Sequence, residues 1–301
     1  MTLLLLILSV PLMGVSAHFF VDKVVSVAHK LRLPLYGIAA GLVSILTSVP
    51  EIIVSLNTAF NHQIELSMGN IWGSVLANTL LVLGVSACFK PLACRPMVAR
   101  IEMPFLVMAL ITWGLCIYLD FWTPVAWVAP LFWVIYIVLV HQDDGQELPN
   151  VSSTWWDIPW ALFYFGLIWL ASLWLIDGAQ WVANYFQWPH WFVGMTILAI
   201  GTSLPELVVT LVALLKGHAD LALGNAVGSN VFLVLMLMPI CGIVGADQGL
   251  SFVLPAVMMS AAANGLLYLF VLFFDTHRQI NRWEGALMLL AYALFLWAEY
   301  Q

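Results

Sequence analysis

Thr47-Ser48-Val49-Pro50-Glu51 recurs 155 positions later as Thr202-Ser203-Leu204-Pro205-Glu206, and each copy lies inside a long apolar run. The same offset aligns Asp22 with Asp177, Ala28 with Ala183, and Pro34 with Pro189. It also aligns Gly69-Asn70 with Gly224-Asn225, and Gly73-Ser74 with Gly228-Ser229. So many polar coincidences at one shift identify an internal duplication. Whatever architecture one half adopts, the other half must adopt as well.

Composition sets the solvent in which the halves fold. Hydrophobic residues make up 63% of the 301 positions and charged residues 8%, against about 25% charged in soluble domains. That is too little charge to cover a water-facing surface, so the chain is read as an integral membrane protein. Apolar stretches predict spans near 2–22, 35–60, 67–88, 98–119, 121–140, 157–177, 190–215, 221–244, 249–274 and 283–299. Only helices and closed barrels satisfy the backbone in lipid, and runs of about 20 residues exceed a barrel strand. The expected fold is therefore all-α, with ten transmembrane helices as two five-helix repeats. The first stretch, MTLLLLILSVPLMGVSA, is leader-like but lacks a basic n-region, and its counterpart in the second half marks it as span 1.

The nine basic residues give the sidedness. Lys23, Lys30 and Arg32 follow span 1, and Lys90, Arg95 and Arg100 follow span 3. Lys216 follows span 7, and Arg278 and Arg282 follow span 9. All lie on one side, which the positive-inside rule makes the cytoplasm. Both termini are then outside it, in what is expected to be a cell membrane. Residues 1–140 form the first repeat, 141–156 a cytoplasmic linker, and 157–301 the second repeat. Because each repeat has an odd number of spans, the second enters from the opposite side. Inverted repeats of this kind bring their interrupted helices together at the bilayer midplane.

Glu51 and Glu206 fall near the centres of spans 2 and 7. An acidic side chain there costs roughly 2.5–3.5 kcal/mol on insertion scales, and it persists where a cation, proton or water path compensates. Pro50 and Pro205 cannot donate backbone hydrogen bonds, so each span should bend or unwind beside its Glu. Thr47, Ser48, Thr202 and Ser203 add hydroxyls within the same turn; Ser74, Ser229 and Asn78 offer further oxygens. An all-oxygen set suits hard cations such as Ca²⁺, whereas zinc or copper would call for His and Cys. Two carboxylates balance one divalent or two monovalent ions, which is the basis for exchange at a shared site.

Other readings find less support. Cys88, Cys94, Cys116 and Cys241 form no CxxC pair and read as packing residues. His18, His29, His62, His141, His190, His218 and His277 lie at span ends or in loops, away from both Glu motifs, so an enzyme is not expected. Nor is an organic cofactor. No basic run suggests nucleic acid; the expected partners are the bilayer and cations.

The stretches AIGTSLPELVVTLVALLKGHADLALGNAVGSN (199–230) and SILTSVPEIIVSLN…LSMGNIWGSVLANTLLVLG (44–84) resemble the alpha-repeats of the sodium/calcium exchanger family. The resemblance covers nearly the whole chain. It implies Ca²⁺ held by Glu51 and Glu206 with Thr47, Ser48, Thr202 and Ser203. It further implies Na⁺ ligands at Ser74, Ser229 and Asn78, with backbone carbonyls from Ser44 and Ala199, and spans 1 and 6 moving across a core of spans 2, 3, 7 and 8. One departure is Leu233, the offset partner of Asn78, where family members commonly carry Asp or Asn. The expected function is Ca²⁺/Na⁺ antiport by alternating access, with H⁺ coupling and a binding-only relative as the alternatives.

Overall fold

The computed structural model describes residues 2–31, 34–94, 98–141, 153–186, 196, 198–245, 249–274 and 279–300. The first half contains α1 (Thr2–Leu31), α2 (Leu35–Thr47 and Val49–Phe60), α3 (Ile64–Phe89), α4 (Met103–Tyr118) and α5 (Trp122–His141). The second contains α6 (Asp157–Phe186), α7 (Ala199–Thr202 and Leu204–Leu215), α8 (Ala219–Val244), α9 (Leu254–Leu269) and α10 (Arg282–Tyr300). Among the described residues these ten helices match the ten expected spans. Residues 190–195 and 197 of span 7, and 142–152 of the linker, lie outside the described residues. Spans 1 and 6 run further than their apolar stretches, to Leu31 and Phe186, and spans 3 and 8 start earlier, at Ile64 and Ala219. Polar residues at these ends continue the helical hydrogen bonding beyond the apolar run, which apolarity alone does not register.

The duplication is visible in backbone detail. α2 breaks at Ser48, where its halves meet at 47°, and α7 breaks at the equivalent Ser203. Pro50 and Pro205 each stand in the first turn of the second half-helix, where a missing N–H costs nothing. The turns that close α2 and α7 also match. His62 (φ 57°) and Gly217 (φ 89°) occupy the left-handed region, with Gln63 N–H donating to Thr58 O and His218 N–H to Ala213 O, each at 2.8 Å. This is the Schellman-type close of a helix.

Helices α3 and α8 form the centre, with 83% and 78% of their most apolar windows buried, against 22% for α5 and 33% for α9. The latter face the lipid. Gly228 on α8 brings α2 into direct backbone contact, since a Cβ there would lie 2.6 Å from Ala40 Cα. Helices α1 and α6 pack against each other along their length.

The basic loops gather at one end. Lys23 Nζ contacts Asp157 Oδ1 (2.8 Å) and Lys216 Nζ contacts Asp22 Oδ1 (2.5 Å). Lys90 Nζ donates to Leu214 O (3.3 Å), and an Arg282 guanidinium N–H donates to Phe89 O (3.3 Å). A short antiparallel ribbon, β1 (Leu92–Ala93) with β2 (Gln279–Ile280), ties the α3–α4 and α9–α10 connections together. Arg32, Arg95 and Arg278 lie outside the described residues.

Candidate cation site

The breaks in α2 and α7 bring the two Thr-Ser-x-Pro-Glu motifs face to face between α3 and α8. Glu51 and Glu206 are both 0% exposed. The serine that holds each carboxylate comes from the other repeat. Ser48 Oγ donates to Glu206 Oε1 at 2.8 Å, and Ser203 Oγ donates to Glu51 Oε1 at 3.1 Å. From within each repeat, Ser229 Oγ approaches Glu206 Oε1 at 3.4 Å and Ser74 Oγ approaches Glu51 Oε1 at 3.5 Å.

The same two serines reach the backbone oxygens expected at the site. Ser229 Oγ lies 3.4 Å from Ser44 O, and Ser74 Oγ lies 3.5 Å from Ala199 O. Thr202 Oγ1 stands 3.3 Å from both Ser74 Oγ and Ala199 O. Thr47 Oγ1 lies 3.1 Å from Val43 O and 3.3 Å from Ser44 O. Two half-sites result: Glu51 with Ser203, Ser74, Thr202 and the Ala199 carbonyl; Glu206 with Ser48, Ser229 and the Ser44 carbonyl, beside which Thr47 stands.

Each carboxylate keeps one oxygen unused. Glu51 Oε2 and Glu206 Oε2 are buried with no hydrogen-bond partner among the described residues, and so are both amide atoms of Asn78. An unpaired buried acceptor normally costs about 1–3 kcal/mol. The two free carboxylate oxygens are acceptors of the kind a dehydrated cation would use. The donors are all hard oxygens, fitting Ca²⁺ and Na⁺ rather than soft metals.

Asn78 makes no hydrogen bond to the other expected ligands. It sits in a π-helical turn of α3 (Ala77–Val82), and Leu233 opens the equivalent turn of α8 (Leu233–Leu237). Such turns re-aim side chains and recur at functional sites. Leu233 is fully buried in the apolar core, so the position equivalent to Asn78 carries hydrocarbon in place of an amide.

Four residues outside the expected ligand set support it from behind. Asn225 Oδ1 accepts from Thr47 Oγ1 (3.0 Å) while its Nδ2 donates to Thr210 Oγ1 (3.1 Å). Asn70 repeats the pattern, accepting from Thr202 Oγ1 (3.3 Å) and donating to Ser55 Oγ (2.9 Å). All four obey the 155-residue offset, which was the available signal. A second group does not: Asn230 Nδ2 donates to Thr79 Oγ1 (2.8 Å), which contacts Asn264 Oδ1 (3.1 Å). The offset pairs these residues with Val75, Val234 and Ala109, so comparing the halves could not reveal them.

Comparison with known proteins agrees with this geometry. The profile of the family described as Sodium/calcium exchanger protein matches residues 1–141 and 158–301. The putative antiporter CaxA of Alkalimonas amylolytica is 34% identical over 295 residues, covering 92% of each chain. The inner membrane protein YrbG of Escherichia coli is 31% identical over 254 residues, covering 78% of this chain and 77% of that one. A structure of the sodium-calcium exchanger NCX_Mj soaked with Na⁺ and Ca²⁺ superimposes with a TM-score of 0.81 at 24% identity, covering 97% of this chain and 96% of the other. With the matched profile spanning both repeats, the chain belongs to the sodium/calcium exchanger family.

Proposed function

We propose that this protein is a secondary antiporter that exchanges Ca²⁺ for Na⁺ at the site between Glu51 and Glu206, opened alternately to the two sides. The observation that carries this reading is the crossed pair of bonds, Ser48 to Glu206 and Ser203 to Glu51. Each half-site draws on both repeats, so the core of spans 2, 3, 7 and 8 carries both half-sites together while spans 1 and 6 move across it to open one side or the other. Ca²⁺ takes the two orphaned carboxylate oxygens together, and Na⁺ takes the half-sites one by one. Two negative charges then hold either cargo, and occupancy by one excludes the other.

The resemblance of family and fold supports the assignment of Thr47, Ser48, Ser44, Thr202, Ser203, Ala199, Ser74, Ser229 and Asn78 as ion ligands. The basic end is assigned to the cytoplasm by the positive-inside rule, which puts both termini on the other side. Residues 1–140 and 157–301 act as the two repeats, joined by a cytoplasmic linker.

H⁺ coupling is the second reading, favoured by Leu233 in place of a second amide. Ca²⁺ flux into proteoliposomes separates the two. Uptake that requires internal Na⁺ supports Na⁺ exchange. Uptake that follows a pH gradient with no Na⁺ present assigns the coupling to protons.

A further inference from the structure

The ion site obeys the repeat: its contacts on Glu51 and Glu206 come in pairs. The fastenings at the basic end do not. Lys216, at the close of α7, contacts Asp22 Oδ1 of α1 at 2.5 Å and donates to His18 O at 2.7 Å. The 155-residue offset pairs Asp22 with Asp177, which keeps the acid, but pairs Lys216 with Asn61, which loses the amine. Asn61 is exposed and bonds its own helix, donating to Asn57 O at 2.7 Å.

A second fastening is one-sided too. Glu102, 0% exposed ahead of α4, accepts from Tyr36 Oη (2.7 Å) at the start of α2 and from Tyr136 Oη (2.9 Å) on α5. Its counterparts are Val257, Trp191 and Ala291. The packing follows the same asymmetry. Among the described residues, α1 packs closely on the second half of α7 and α6 makes fewer contacts with the second half of α2.

We propose that the Asp22–Lys216 pair is a one-sided latch that favours the state closed at the basic end, with no equivalent at the Asp177–Asn61 end. This rests on the alternating-access reading above. An inverted repeat allows a second state in which α6 packs on α2 as α1 now packs on α7. In that state Lys216 leaves Asp22, and Asn61 gives Asp177 no charge to meet. A partly exposed ion pair shifts such an equilibrium by up to about fivefold.

The test uses the full chain in lipid nanodiscs, with Cys88, Cys94, Cys116 and Cys241 replaced and spin labels placed at positions 60 and 181. Phe60 and Trp181, at the α2 and α6 ends concerned, are exposed and accept labels. Double electron–electron resonance reads the distance distribution in Na⁺ and in Ca²⁺. Lys216→Asn should enlarge the short-distance population by roughly two- to fivefold. Asn61→Lys should shift it in the same direction by creating the missing pair with Asp177. The charge-exchanged double variant Asp22→Lys with Lys216→Asp should return it to wild type. Distances that respond to the ions but not to Lys216→Asn or Asn61→Lys would overturn the latch. Distances that respond to neither ion in the parent would overturn the alternating-access reading beneath it.

Discussion

Ser48 and Glu206 belong to opposite repeats, yet Ser48 Oγ donates to Glu206 Oε1 at 2.8 Å, and the repeat-related Ser203 and Glu51 make the same bond at 3.1 Å. Each motif thus completes the site of the other. Neither repeat holds both partners of either bond.

The crossed bonds predict matched losses. Ser48→Ala and Ser203→Ala each remove a hydrogen bond to a charged group, worth about 1.5–3 kcal/mol. Ca²⁺ affinity measured by calorimetry on the purified protein should fall by roughly ten- to hundredfold in each. A large loss in one with none in the other would contradict the reciprocal arrangement.

Asn78 separates function from stability. Both of its amide atoms are buried and unpaired among the described residues, and its repeat partner is Leu233. Asn78→Leu removes about 1–3 kcal/mol of unsatisfied polarity per group. The ion-free protein should melt at a higher temperature while Ca²⁺ flux falls by about tenfold or more. A lower melting temperature would show that the amide has a structural partner instead.

Gly228 tests the close crossing of α2 and α8. A Cβ at this position would lie 2.6 Å from Ala40 Cα, a backbone atom that cannot swing away. Gly228→Ala should cost about 1–3 kcal/mol, read as a lower melting temperature, and should reduce transport by moving Ser229 away from Glu206. Replacing Gly14, which has no neighbour within 4 Å, is the matched control.

His218, in the loop before α8, predicts an acid-side loss of stability. Burial pushes its imidazole below the ordinary range and Lys216 repels its charge, with Asp22 and Asp220 opposing. The unfolded chain therefore binds this proton at a higher pH than the folded one. Stability is full above about pH 6.5 and falls as pH drops from there through the lower folded value. Melting temperatures between pH 8 and pH 5 should show this decline, and His218→Gln should flatten it.

The candidate ligands were legible in the sequence because polar residues inside apolar runs are expensive and the same ones occur twice. Glu51 with Glu206 and Ser74 with Ser229 stand out for that reason. Their partners were not legible. Ser48 lies three residues from Glu51, and only the meeting of α2 with α7 sends its hydroxyl to Glu206 instead. Asp22 shows the same limit. Its place near the end of a 21-residue apolar stretch names no partner, whereas in the structure α1 continues to Leu31 and Asp22 meets Lys216, 194 residues away. Asn230, Thr79 and Asn264 escaped because the offset pairs them with apolar residues, so the duplication carried no mark of them.

The central claim is that Glu51 and Glu206 form one shared Ca²⁺ site. The direct measurement is ⁴⁵Ca²⁺ uptake into Na⁺-loaded proteoliposomes by the wild type, Glu51→Gln and Glu206→Gln, with choline-loaded vesicles as the baseline. The structure predicts Na⁺-dependent uptake by the wild type and baseline uptake by both variants, since each carboxylate supplies one buried oxygen that no neighbour replaces. Wild-type uptake by either variant would contradict a single site built from both repeats.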